Sequence, residues 1–178
     1  TTGAANTALG FHAMLNNTTA ANNVAVGAYA LDANTEGTTN VAVGTNALSG
    51  NTTADNNVAV GNASLYANTT GTQNTAVGAS ALDSNTTGSS NTAVGYLAMC
   101  SSAGASNENT ALGYAAGCTI STGDENAFLG YRAGYNVTTG NCNIMIGSSA
   151  CIDSGGTNNS ISMGYAVVSI NNAVTFGN

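Results

Sequence analysis

The sequence predicts an all-β fold, a parallel β-solenoid of ~17-residue coils, and three observations carry that expectation. A glycine recurs at Gly10, Gly27, Gly44, Gly61, Gly78, Gly95, Gly113, Gly130, Gly147 and Gly164, a step of 17 residues at every interval except one of 18. Each glycine closes a short apolar segment, read NTALG, NVAVG or NTAVG in the first seven copies and NAFLG, NIMIG and SISMG in the last three. Asn stands four residues before the glycine in nine successive units: Asn6, Asn23, Asn40, Asn57, Asn74, Asn91, Asn109, Asn126 and Asn143. The units are copies within one chain, so their shared positions are requirements of stacking.

Within each segment the residues three and one before the glycine, such as Val24 with Val26 and Ile144 with Ile146, share a face by the period-two rule and are expected to form the buried side of a strand. The residue between them is Ala in seven consecutive units, Ala8 to Ala111, so the opposite face is small and apolar and is expected to meet close packing. Four residues after the glycine comes a second apolar column, Met14, Leu31, Leu48, Leu65, Leu82 and Met99, read as a second very short strand. A polar stretch, often NTTG, closes the unit, which leaves too few residues for an amphipathic helix. Ten coils at ~4.8 Å make a rod of roughly 45 to 50 Å. In that stack the asparagines become an internal ladder of amides. The glycine column marks a backbone position that needs positive φ or close approach of another chain.

A coil of 17 residues carries about three large apolar side chains. Ordering costs ~1 to 2 kcal/mol of backbone entropy per residue, against ~1.5 to 3 kcal/mol for burying each such side chain. The shortfall, with the second small apolar face, predicts self-association, as a symmetric homotrimer. With one Lys or Arg against eight acids, a net charge of −7, the chain has no basic surface for nucleic acid or anionic membranes. No apolar run reaches the 18 residues of a membrane span. The middle strand position changes to Phe128, Met145, Ser162 and Thr175 and the last glycine step, to Gly177, shortens to 13. Residues 1–158 are therefore expected to form the regular roll and 159–178 a terminal coil and transition, with bulkier residues implying a wider or differently packed core.

The run N-[TV]-A-[VL]-G-x-x-A-L-x-x-N-T-T-G resembles the head repeats of YadA-type trimeric autotransporter adhesins and related repeats of phage-like tail fibres. The resemblance covers nearly the whole chain. It implies a left-handed parallel β-roll wound as a trimer, exposed on a cell surface or virion and binding host or environmental surfaces. It names no ligand. Heads of the YadA type usually repeat with about 14 residues, so the longer NTTG turn here is closer to the fibre variant. No cationic leader, heptad stalk or membrane anchor is apparent, and the reading is of a piece of a longer fibre.

Candidate sites are few. Cys100 and Cys118 both lie five after their glycines in adjacent units, a register that suits a disulfide; Cys142 and Cys151 flank one strand, to bridge across a coil or to remain buried thiols. Disulfides fit an extracytoplasmic setting. Tyr96, Tyr114 and Tyr131 follow the unit glycine in consecutive coils, with Phe11 and Tyr165 in the same register further away. They form either a structural stack or a platform for sugar rings. Arg132 would orient a carboxylate ligand or pair with Asp124 or Glu125. Glu108, Asp124 and Glu125 would share a calcium ion or be solvated acids, and the spacing of calcium-binding repeats is absent. No metal or cofactor is expected. His12 is the only histidine and has no acid partner, no nucleophile elbow or phosphate loop occurs, and no catalysis is expected. The sequons at Asn51, Asn68 and Asn85 are what a chain rich in Asn and Thr supplies by chance.

These readings predict an extracellular fibre or adhesin repeat domain, a rigid rod that attaches to a cell-surface glycan or protein receptor. The alternatives are a passive spacer or filament subunit and an ice-binding solenoid. Against the last, Thr52 with Thr53 and Thr69 with Thr70 are adjacent pairs in turns, whereas a flat strand face needs alternate positions.

Overall fold

The computed structural model describes residues 2–102 and 104–177. Thr1 and Asn178, the outer bounds of the two expected segments, lie outside the described residues. The chain forms a β-solenoid of about ten turns. Among the described residues eleven short strands build one sheet: β1 (Thr7–Leu9), β2 (Val24–Val26), β3 (Val41–Val43), β4 (Val58–Val60), β5 (Thr75–Val77), β6 (Thr92–Val94), β7 (Thr110–Leu112), β8 (Ala127–Leu129), β9 (Ile144–Ile146), β11 (Ile161–Met163) and β13 (Val174–Phe176). All pair parallel in that order, and each residue lies opposite its repeat equivalent, as Val41 opposite Val58. A second sheet holds only β10 (Cys151–Ile152) and β12 (Val168–Ser169).

The sidedness of the strands is the reverse of the sequence expectation. Ala25, Ala42, Ala59, Ala76, Ala93 and Ala111 are completely buried inside the coil, while most of the flanking Val and Thr residues are only half-buried and face outward. The rule that the bulkier face turns inward fails here because the coil interior is thin. One methyl from the strand and one Leu or Met from the opposite turn fill it, and Leu31, Leu48, Leu65, Leu82 and Met99 are all fully buried.

Those Leu and Met residues are not on a second strand either. Leu31, Leu48, Leu65 and Leu82 have φ of 50 to 52°, and the residue two before each is left-handed as well, as at Tyr29 (φ 58) and Asn46 (φ 58). The N–H of Ala30 donates to the Gly27 carbonyl and that of Asn34 to the Leu31 carbonyl, so this side of the coil is a succession of tight turns. A left-handed third residue is what a type II turn requires. The cost of this conformation for a residue with a Cβ, ~1 to 2 kcal/mol, is met by burial of the Leu side chain, worth a similar amount.

The glycine column has φ of 122 to 141° and packs against the next coil of the same chain. A Cβ on Gly61 would lie 2.6 Å from the Gly78 carbonyl carbon.

Two buried amide ladders close the polar turns. In the expected one, the Asn23 carboxamide accepts from the Asn40 backbone N–H at 2.8 Å and donates to the Gly37 carbonyl at 2.9 Å, and the same pair of bonds recurs at Asn40, Asn57 and Asn74. The second is formed by the Asn that opens the polar stretch closing each unit, NTTG at Asn68 and Asn85, NTEG at Asn34 and NTTA at Asn51. Asn34, Asn51, Asn68 and Asn85 are all fully buried and linked side chain to side chain at 2.9, 3.2 and 2.9 Å. Three of them are the sequon residues, which this burial withdraws from glycosylation in the folded coil.

From the coil of β7 onward the core changes composition. Phe128 enters where Ala stood, and the Leu column becomes Gly117 and Gly134. A Cβ on Gly134 would sit 2.2 Å from Phe128 Cδ1, and one on Gly117 would sit 2.5 Å from Cδ2. The asparagine column becomes Ile120 and Val137, both fully buried. The coil is differently packed, with volume exchanged across it. The long sheet also runs past residue 158, since β11 and β13 continue it. Only the outer turn shortens, where Asn158 meets Asn171 at a spacing of 13 residues.

Candidate functional site

Two surface features stand apart from this scaffold. The first is the outer face of the long sheet. Because the strands of the long sheet from β2 to β11 bury their middle residue, residues three and one before the glycine point outward in two columns along the rod. One reads Thr7, Val24, Val41, Val58, Thr75, Thr92, Thr110, Ala127, Ile144, Ile161 and Val174; the other runs from Leu9 through the valines to Leu112, Leu129, Ile146, Met163 and Phe176. No charged residue occurs in either column. Leu9, Leu112, Leu129, Ile144, Val174 and Phe176 are exposed. Ten strand intervals of ~4.8 Å give this apolar strip a length of roughly 48 Å. Contiguous apolar patches of such extent are rare on surfaces that meet only water.

The second feature is a corner of coils six to nine. Tyr96, Tyr114 and Tyr131 stack along the axis with centroids 5.6 and 5.1 Å apart, the second pair within 11° of parallel. Tyr114 and Tyr131 face one another and Tyr96 is tilted from Tyr114 by 32°, so the ladder is not a flat platform along its length. Arg132 pairs with neither Asp124 nor Glu125, and among the described residues it forms no ion pair. Its guanidinium lies over the Tyr135 ring, 4.1 Å from the centroid. Arg132 separates two shallow grooves, one of about 260 Å³ that includes Leu97, Tyr114, Ala115 and Tyr131, and one of about 200 Å³ that includes Asn136, Ser149 and Cys151; Arg132 and Tyr135 line both. Tyr135 is not among the sequence candidates, although its spacing of three residues from Arg132 is visible in the chain.

The remaining candidates divide. Cys100 and Cys118 are joined as a disulfide with Cα atoms 4.9 Å apart. Cys142 and Cys151 are free, and Cys142 is exposed. The Cys142 thiol donates to Glu125 Oε2 at 3.2 Å, a bond that holds its proton and raises its pKa, while burial raises that of Cys151. Neither is an activated nucleophile. Glu108, Asp124 and Glu125 do gather, with Ser89, Ser90 and Asn107, around a hollow of about 250 Å³. Asp124 already accepts the Asn107 backbone N–H at 2.6 Å, and Glu125 holds the thiol. Among the described residues no group of three or more His, Cys, Asp or Glu is placed to hold a metal. Burial likewise holds the Asp83 carboxyl above its ordinary range. His12 stacks on Phe11 at 3.9 Å. No helix among the described residues is long and apolar enough to cross a membrane. Searches against family models, curated proteins and solved structures find no match to this chain.

Proposed function

We propose that the chain is a repeat segment of an extracellular fibre or adhesin, a left-handed roll that associates as a homotrimer and serves as a rigid rod for surface attachment or receptor binding. The observation that carries this reading is the uncharged strip along the outer face of the long sheet. It gives association a defined surface, and one other than the alanine face favoured from sequence: three copies meeting through the valine columns bury them along the whole rod. The disulfide suits an oxidising location. The resemblance of the repeat to adhesin heads and tail fibres supports the same reading.

The mass in solution tests it. Light scattering is expected to give a value near three chains, unchanged by reductant, since Cys100 and Cys118 pair within one chain. Val60→Glu, in the middle of the strip, is expected to give a folded monomer, because an unpaired carboxylate at a dry interface costs several kcal/mol. Ala59→Glu is expected to unfold the coil itself, its side chain having no exit. A wild-type monomer that is well folded, or a Val60→Glu trimer, overturns the assembly.

A second reading has a specific observation in its favour. Thr75, Thr92 and Thr110 stand in successive strands of one outward column, with Thr7 further along it, each two residues from an outward Val or Leu. Such an array of methyl and hydroxyl groups suits an ice surface if the chain is monomeric. Inhibition of ice recrystallisation by the wild-type monomer, lost in Val60→Glu, would select it over the fibre.

A further inference from the structure

We infer that the corner around Arg132 is a binding site for a carboxylated sugar, a uronic-acid unit of an acidic glycan. The inference rests on the fibre reading for its biological setting and on this corner alone for its chemistry. Arg132 is the only Lys or Arg in a chain of net charge −7. Eight acids were available to neutralise it, and none among the described residues does. Its guanidinium instead lies over the Tyr135 ring, 4.1 Å from the centroid, and no hydrogen bond from it to any described residue is formed. A half-buried, pre-positioned and unpaired guanidinium is a carboxylate receptor, since the planar fork matches the two carboxylate oxygens.

The surroundings select what carries the carboxylate. On either side of Arg132 in the stack the equivalent positions hold small residues, Ala115 and Ser149, which leaves the two grooves. The walls are tyrosines, exposed to 45% at Tyr114, 51% at Tyr131 and 38% at Tyr135. Among the described residues their hydroxyls have no hydrogen-bond partner. Aromatic carbon beside free phenolic donors suits a ring with one apolar face and a rim of hydroxyls. A single cation engages one carboxylate at a time, and a uronic-acid unit brings one carboxylate on a ring that the tyrosine walls can meet. One exposed ion pair binds weakly, so the site gains from repetition among the chains of a fibre.

Titration of the folded chain with tetragalacturonic acid, followed by saturation-transfer NMR, tests this against two controls: the fully methyl-esterified tetramer and short polyglutamate. The acid is expected to bind in the millimolar range. The neutral ester is expected to bind at least about fivefold more weakly, with polyglutamate weaker still for want of ring contacts. Arg132→Gln is expected to remove the difference between acid and ester while leaving the far-UV spectrum and unfolding midpoint unchanged, and Tyr135→Leu to weaken both sugars. Equal binding of acid and ester, full retention in Arg132→Gln, or polyglutamate as the tightest ligand each overturns the site. The fibre reading is judged separately, by solution mass and by adhesion of the wild-type chain to cells. Adhesion undiminished in Arg132→Gln overturns this groove as the adhesive site and leaves the fibre standing.

Discussion

Gly78→Ala is expected to lower stability by roughly 3 kcal/mol or more, because two penalties add at one atom. Gly78 has φ +136°, outside the range an L side chain adopts without strain. A Cβ there would also lie 2.4 Å from the Gly95 carbonyl oxygen and 2.6 Å from its carbon, and these are backbone atoms that no rotamer change can move. Relief requires the two coils to separate, which breaks the bond from the Gly95 N–H to the Val77 carbonyl, 2.8 Å in the native stack. In a solenoid each coil touches only its neighbours, so a break in the middle divides the rod into two shorter stacks. Urea unfolding is expected to show a lowered midpoint, and limited proteolysis a new cut near coil five. Gly156→Ala is the matched control, since a Cβ there would meet only Thr139 Oγ1 at 3.3 Å. Equal effects at both positions would dismiss the stacking argument.

The exchange of volume around Phe128 gives the second large effect. Phe128→Ala leaves a cavity where a 1% exposed ring had been, at a cost of about 3 to 5 kcal/mol. Gly134→Leu, which restores the residue type of the earlier coils, drives a side chain into the same ring and is expected to cost at least as much. Combined with Gly117→Leu, the two changes recreate the Ala-and-Leu core of coils two to five, and the triple variant is expected to recover most of the loss. Such a rescue, several kcal/mol away from additivity, is the signature of groups that share one space. Thermal unfolding of the single and triple variants measures it, and strictly additive losses would dismiss the exchange.

The repeat, the parallel stack, the glycine column and the first amide ladder were legible because each depends on spacing alone. The orientation of the strand was not. Alternation says that Val24 and Val26 share a face and Ala25 takes the other; which face is interior depends on the width of the coil, a quantity no short window contains. Asn34, Asn51, Asn68 and Asn85 were hidden for a related reason. N-T-T-G carries the composition of a surface turn, yet the first residue points into the coil and only the threonines reach water. Gly117 and Gly134 could have been found by following one column through every unit, since glycine replaces Leu or Met in the same two coils that Phe128 spans. At the candidate site the tyrosine register was readable. The pairing of Arg132 with a ring in preference to an acid was not, because charge alone pointed to Asp124 or Glu125.

The bonds between coils point along the rod, as from the Val41 N–H to the Asn57 carbonyl, which sets the response of the molecule to tension. Pulling on the two ends loads each rung in opening, one after another, so the rod yields by shedding single coils. A shed coil of 17 residues pays out about 50 Å of slack, on a reach of ~3.3 to 3.6 Å per residue less the ~4.8 Å it occupied. A tether built this way lengthens many-fold before it parts. The Cys100–Cys118 bridge clamps two successive coils at a separation of 18 residues, so the chain between them yields no slack while the bridge is intact. A force–extension trace reads this directly, as one release that appears only after reduction.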